Sequence, residues 1–206
     1  MPPTISAQQR IHRAAMELFA ERGVTQVSVS ELAEAAGVAR GTIYNNLKQP
    51  EALFEAVAAD LAAEMDRRIQ QVLAGVALQD PAARLAVGVR LWIRRAHAEP
   101  HWGRFITRFA FSNPSLQAIW SGPPMADVMH GIEQGRYACR PDQLPSVLAL
   151  LAGTVLGSMF VVLEGHRTWR DAGADAVELI LVALGVARDE SRSFAAAELP
   201  PLPELP

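Results

Sequence analysis

Seven residues between positions 40 and 48 carry the most pronounced recognition chemistry in the chain: Arg40, Gly41, Thr42, Tyr44, Asn45, Asn46 and Lys48. A guanidinium, a hydroxyl and carboxamides can read base edges in a major groove, where an asparagine pairs with adenine through two bonds. A phenol and an ammonium suit phosphate oxygens. Patterns for catalysis are missing. His97 and His101 are four apart, the spacing of a helical metal pair, but Pro100 lies between them and no third ligand of obvious type is near. Ser158 sits in an apolar run with no orienting base, so its hydroxyl is read as bonding its own helix. No P-loop, no glycine-rich dinucleotide loop after a strand and no H-E-x-x-H occurs. The chain is read as a binder and not an enzyme, with no cofactor and no metal.

Those seven side chains can act together only from one short, well-supported helix. Ser28 stands three residues before Glu31, the capping box that starts a helix. Val29, Leu32, Ala33 and Ala36 share one face, and Gly37 follows where a left-handed residue stops the helix. A second helix of about ten residues fits between Val38 and Lys48, with Ile43 and Leu47 turned inward. Upstream, Ser6 and Gln9 form another capping pair, and Ile11, Ala15, Leu18 and Phe19 make a stripe that ends at Gly23. Three helices so arranged form a helix-turn-helix unit whose last helix enters the major groove.

At this point residues 6–60 resemble the DNA-binding domain of TetR-family transcriptional regulators. The stretch that carries the likeness runs Ser28-Val-Ser-Glu-Leu-Ala-Glu-Ala-Ala-Gly-Val-Ala-Arg-Gly-Thr-Ile-Tyr44, then an Asn-Asn-Leu-Lys end and Glu51-Ala52-Leu53-Phe54. The resemblance implies a DNA-facing set of Ser28, Arg40, Gly41, Thr42, Tyr44, Asn45, Asn46 and Lys48, with Tyr44 on phosphate and the first turn near base edges. It also implies a two-fold dimer on a double-stranded DNA operator. Three departures bear on the operator and not on the fold. Ala39 replaces the Ser or Thr cap usual in the family, at a cost of about 1 kcal/mol of helix stability. Asn45-Asn46-Leu47 replaces an aromatic-His-Phe end, and Pro50 stands where a charged residue is common.

Composition fits this reading once it is divided. The 206 residues carry a formal charge of −3, with half of them apolar. Positions 1–50 hold five arginines and lysines against four carboxylates, so the basic balance lies there, weakly. Lys48 is the sole lysine. Cys139 is the one cysteine, which leaves no disulfide framework and no cysteine zinc site. Met1-Pro-Pro-Thr lacks the features of a signal peptide, and the expected location is cytoplasmic.

The rest of the chain reads as broken helices. A long one should run from Pro50 to about residue 76, along Leu53, Phe54, Val57, Leu61, Met65, Ile69 and Leu73. It starts in the DNA-binding part and ends in the remainder, which makes it the mechanical link. Further helices follow at Asp80-Pro81, Glu99-Pro100, Asn113-Pro114 and Gly122-Pro123-Pro124. No sustained period-two alternation predicts a strand. Trp92, Trp102, Phe105, Phe109, Trp120, Met125, Met129 and Phe160 are core in part and suit an adaptable pocket for a small apolar or aromatic effector. Arg90, Arg94, Arg104 and Arg108 form two i, i+4 pairs, by default a solvated face.

Residues 144–163 contain no charge over twenty positions. That length meets the criterion for a membrane span, and Gly153 and Gly157 form a close-packing pattern. A lone run without an aromatic belt is read instead as a helix buried between its own domain and a partner. With a second apolar helix at about 175–185 it would build a four-helix dimer interface. The tail from about Arg188 to Pro206 is read as irregular or polyproline-like. The expected chain is all-α: a helix-turn-helix DNA-binding domain (1–50), a helical ligand-binding and dimerisation domain (51–188) and a Pro-rich tail (189–206). The expected function is a transcriptional repressor released from a palindromic operator by an effector. The alternative is a DNA-binding protein of the same fold without an effector. Operator, effector and regulated genes are not written in the sequence.

Overall fold

The structure, a computed structural model, describes residues 6–47, 49–76 and 78–203. Its first helices begin and end where capping chemistry dictates. In α1 (Ala7–Arg22) the Ser6 hydroxyl accepts from the Gln9 N–H, and the Gln9 side chain accepts from the Ser6 N–H. In α2 (Val29–Ala36) Ser28 and Glu31 do the same, and the helix stops at Gly37 with φ of 61°. A side chain at that left-handed position would be strained, so glycine ends α2 and turns the chain into α3. The third helix, α3 (Arg40–Asn46), has seven residues, three fewer than expected. Ala39 supplies no side-chain cap at its start. Ile11, Phe19, Leu32 and Ile43 are at most 2% exposed and form the shared core of the three helices.

A 3-10 turn at Pro50–Ala52 leads into α4 (Leu53–Gly75). Proline then marks one helix start after another. It sits in the first turn of α5 (Pro81–Ala98), α6 (Pro100–Phe109), α7 (Pro114–Ser121) and α8 (Pro123–Glu133). There its missing N–H costs nothing and its φ is already helical. The long apolar helix α9 (Leu144–Leu163) packs on α5 and α6, and α10 (Trp169–Ala183) packs on α5 and α9. No strand occurs among the described residues. Helix α10 starts about six residues earlier than expected, because Thr168 caps it by accepting from the Asp171 N–H.

Between α4 and α5 the core admits charge. Arg95 and Arg68 are 3% and 8% exposed. Arg95 grips Glu99 through two bonds of 3.2 and 3.0 Å and reaches Glu64 at 2.7 Å. Arg68 meets the same carboxylates at 3.1 and 3.3 Å. Two part-exposed carboxylates cancel the two buried guanidiniums locally, which offsets the cost of taking those cations out of water. The face of Trp102 completes the site, 4.3 Å from the Arg95 guanidinium.

The end of the chain departs from expectation. Arg188–Ala196 is regular helix, α11, packed on α10 and α5, with Ser191 fully buried and Ala195 7% exposed. Reading proline content alone missed it, since the prolines begin only at 200. Beyond α11 the backbone runs as a strap across the arginine face of α5. Arg90 donates to the carbonyls of Ala197 (2.7 Å) and Phe194 (3.5 Å), Arg94 to Pro200 (3.5 Å) and Arg68 to Pro203 (2.8 Å). Carbonyls at 197, 200 and 203 are three apart, the repeat of a polyproline helix, so one edge of the strap meets all three arginines. Arg90 and Arg94 are therefore not a solvated face. Removing residues 197–206 should cost about 2 kcal/mol, roughly 4–8 °C in Tm for a chain of this size. Thermal melting of the truncated chain checks this, and an unchanged Tm would show that the strap adds nothing to stability.

Candidate DNA-reading and effector sites

The outer face of α3 is open. Arg40, Gly41, Tyr44, Asn45 and Asn46 are exposed, Tyr44 at 63%, while Thr42 is half-buried. Ile43, fully buried, pins the opposite side of this short helix to α1 and α2. Arg40, Tyr44 and Asn45 make no hydrogen bond or ion pair with other described residues. A Cβ placed on Gly41 would meet nothing within 4 Å, so the backbone there can be approached closely. Asn46 is different: its amide donates to the Thr42 carbonyl at 2.8 Å, inside its own helix. Ser28 is committed to capping α2, with its hydroxyl 2.7 Å from Glu31 Oε2. Lys48 lies outside the described residues.

Glu31 is the electrostatic anchor of this head. Hydrogen bonds from Ser28, then the Arg22 guanidinium, lower its pKa from 4.5 to about 2. The Arg22–Glu31 pair also ties the end of α1 to the start of α2.

The head joins the remainder through aromatic rings and one arginine. Phe19 of α1, Phe54 of α4 and Phe105 and Phe109 of α6 form a cluster with ring centroids 4.9–6.4 Å apart. Arg108, also on α6, donates to the carbonyls of Ala20 (3.0 Å) and Glu21 (3.4 Å). A cation at a helix C-terminus satisfies carbonyls that the helix leaves unpaired. Asn113 donates to Glu55 on α4 at 2.8 Å while capping α7. The junction thus runs through α6 as well as the long helix α4.

Of the aromatic and methionine side chains expected to line a pocket, only some are gathered round one. A pocket opens between α4, α5, α7, α8 and α9, with a cavity of about 60 Å³ counted as room for the centres of water molecules. Trp92 and Trp120 line it, their rings 5.6 Å apart. Trp102, Phe105 and Phe109 do not. Trp102 is sealed between Trp92 and Arg95, and the two phenylalanines belong to the junction. Met125 is half-buried on α8 off the pocket wall, and Met129 and Phe160 face outward at 41% and 54% exposure. Those two lie off the pocket because the helices carrying them bury the opposite face.

Most of the wall comes from residues that aromatic content did not flag. Asp66, Ile69, Gln70 and Leu73 of α4 fall at i, i+3, i+4 and i+7, and Arg84, Gly88 and Trp92 of α5 at i, i+4 and i+8. A Cβ on Gly88 would meet nothing within 4 Å, consistent with space in front of it. That periodicity was visible in the sequence, but only packing shows which of several helix faces encloses a void. The polar groups of the wall differ in state. Arg84 and Asp127 satisfy each other at 2.8 Å. Asp66 has no hydrogen-bond partner among the described residues, and burial raises its pKa against the opposing charge of Arg67.

The caps of the reading head make two outcomes measurable. Ala39→Ser should add the missing cap and stabilise α3 by about 1 kcal/mol, and Ser28→Ala should cost α2 about the same. Because the Glu31 pKa is depressed, its contribution is complete above pH 4.5 and is lost as pH falls towards about 2. Amide exchange of α2 followed over that range should show the loss in the wild type and not in Glu31→Gln.

Comparison with known proteins matches two parts of the chain. Residues 11–57 match bacterial regulatory proteins of the tetR family, and residues 80–197 match a tetracyclin repressor-like C-terminal domain. An uncharacterised HTH-type transcriptional regulator of Mycobacterium tuberculosis is 32% identical over 101 residues, 49% of each chain. The HTH-type transcriptional repressor AcnR of Corynebacterium efficiens is 32% identical over 96 residues, 44% of this chain and 50% of that one. The chain spans about half the length of the curated relatives it matches. Among solved structures, RolR in complex with resorcinol is 28% identical over 96% of both chains, with a TM-score of 0.71. A gamma-butyrolactone receptor, 20% identical over 92% of this chain and 94% of that one, shares the fold with a TM-score of 0.72. With both of its domains matched, the chain belongs to the TetR family of bacterial transcriptional regulators, DNA-binding proteins and not enzymes.

Proposed function

We propose that this regulator is a cytoplasmic two-fold dimer that represses from a palindromic operator and is released by a small, largely apolar effector. The observation that carries the effector is the largely apolar pocket walled by Trp92, Trp120 and aliphatic side chains. RolR, whose whole length this chain matches, was solved with resorcinol, a single ring, which supports a compact ligand here. At about 60 Å³ the cavity is smaller than the roughly 150 Å³ apolar cavity that takes up benzene. A ring-sized ligand must therefore push the walls apart, and that displacement is the signal. The pocket also weighs against a member of the fold that acts without an effector.

Trp92 stacks on Trp102 at 5.2 Å, and Trp102 opens α6. Seven residues on, about 10 Å along the axis, Arg108 and Phe109 hold the end of α1 and the start of α4. A shift of Trp92 is thus passed to the reading head by one short helix. Two recognition helices must stand about 34–36 Å apart to meet successive major grooves, so a small tilt doubled by symmetry spoils the fit.

Dimerisation is assigned to α9 and α10. Leu150, Phe160 and Leu179 are 40%, 54% and 65% exposed, and added Cβ atoms on Gly153 and Gly157 would meet nothing within 4 Å. Helix α9 is also the one helix among the described residues long and apolar enough to cross a membrane, by length and composition alone. A second copy covering this face removes the apolar patch from water.

Three measurements test the proposal. Gly157→Arg should yield monomers by light scattering, with operator binding lost; an intact dimer would move the interface elsewhere. Tyr44→Ala should weaken all operator variants alike and flatten the salt dependence, whereas Arg40→Ala should change base preference. A coupling of about 1–3 kcal/mol, a 5- to 150-fold loss of operator affinity, is expected on effector binding, and operator must weaken the effector equally. Equal effector affinities with and without operator would rule the ligand out as an inducer.

A further inference from the structure

We propose that Asp66 sets the ligand class of the pocket: a compact ring compound that carries no negative charge and presents a hydrogen-bond donor, as a phenol or an arylamine does. This rests on the reading of the pocket as the effector site. Most of its wall is hydrocarbon and indole, which selects for a ring but not for one ring over another. Selection must come from the few polar groups. The Arg84 guanidinium is spent on Asp127 at 2.8 Å and on the Leu78 carbonyl at 3.5 Å. Asp66 and Gln70, one helical turn apart on α4, have no such partner among the described residues. The pocket therefore offers a carboxylate acceptor beside an amide, with the one cation of its wall already neutralised.

An anion brought against that carboxylate inside an apolar pocket is repelled and loses its hydration. A hydroxyl or amino group donates to Asp66 the hydrogen bond that it lacks. Partial burial raises the Asp66 pKa, the direction in which a donated hydrogen bond helps to hold the charged carboxylate. On α7, the Trp120 Nε1–H is buried without an acceptor. A hydroxyl, which accepts as well as donates, can satisfy that group too once the walls have parted. Asp66 is also well placed to report binding, because it sits one residue from Met65 and two from Arg68, inside the stretch of α4 held by the buried arginines.

The test uses the full chain and calorimetric titration with three probes: phenol, its methyl ether anisole, and benzoate. Phenol should bind about tenfold or more tightly than either of the others, the range for a hydrogen bond to a charged group. In Asp66→Ala the preference for phenol over anisole should fall to within about twofold. In Asp66→Asn, which keeps an acceptor and loses the charge, phenol should retain most of its advantage over anisole while benzoate gains. Circular dichroism spectra matching the wild type keep the variants interpretable. Equal affinities for phenol and anisole in the wild type, or an undiminished preference in Asp66→Ala, would overturn the role of Asp66. If anisole and phenol bind equally and both release operator, the effector pocket stands and this inference alone falls. If none of the three binds, the pocket reading and the inference fail together.

Discussion

The rest of the structure depends on how α4 is held. Two guanidiniums lie in the seam between α4 and α5, and neither can stay there without a carboxylate. Glu64 sits one turn before Arg68 on α4, and Glu99 sits at the break between α5 and α6. The four groups are satisfied together only when α4 lies at one height along α5. A slide of one turn would strand a buried charge, so the register of the long helix is set by electrostatics on top of hydrocarbon packing. The strap after α11 adds its Pro203 carbonyl to the same cluster.

The aromatic side chains have separate places. Trp92 and Trp120 wall the void, Trp102 carries the contact onto the Arg95 guanidinium, and the phenylalanines of α6 meet Phe19 and Phe54 at the reading head. Helix α6 touches both ends of this series although it is only ten residues long. Rings packed edge to face transmit a displacement because protein interiors are dense and compress little. Gly103 contributes by its size. A Cβ there would lie 3.0 Å from the Ala96 Cβ and 3.2 Å from Leu163, so glycine allows α6 to nest against α5 and α9.

The reading head is economical by contrast. Its second and third helices are short, the third is uncapped, and its basic excess is small. Capping boxes on α1 and α2 and a shared core at Ile11, Phe19, Leu32 and Ile43 hold it together, which leaves the outer face of α3 free of internal bonding except at Asn46. A face without internal partners retains its full hydrogen-bonding capacity for another molecule.

The head was legible because its signals are local. Ser6 with Gln9, Ser28 with Glu31, and the left-handed Gly37 act within four residues of one another, and hydrogen bonds of that range are already implied by spacing. Proline placement likewise located the starts of α5 to α8. What spacing could not decide was which apolar face meets which. Trp102, Phe105, Phe109, Trp92 and Trp120 look alike in sequence, yet two of them wall a pocket and three are sealed inside. Asp66 reads as one more surface carboxylate until packing places it on the pocket wall, and Arg90 and Arg94 read as a solvated face until the strap crosses them. By itself the sequence determined the all-α class, the helix-turn-helix and its exposed recognition face, because those follow from contacts along one helix. The pocket, the arginine–glutamate quartet and the contacts of α6 were decided only by tertiary structure, because packing and charge pairing are properties of segments far apart in the chain.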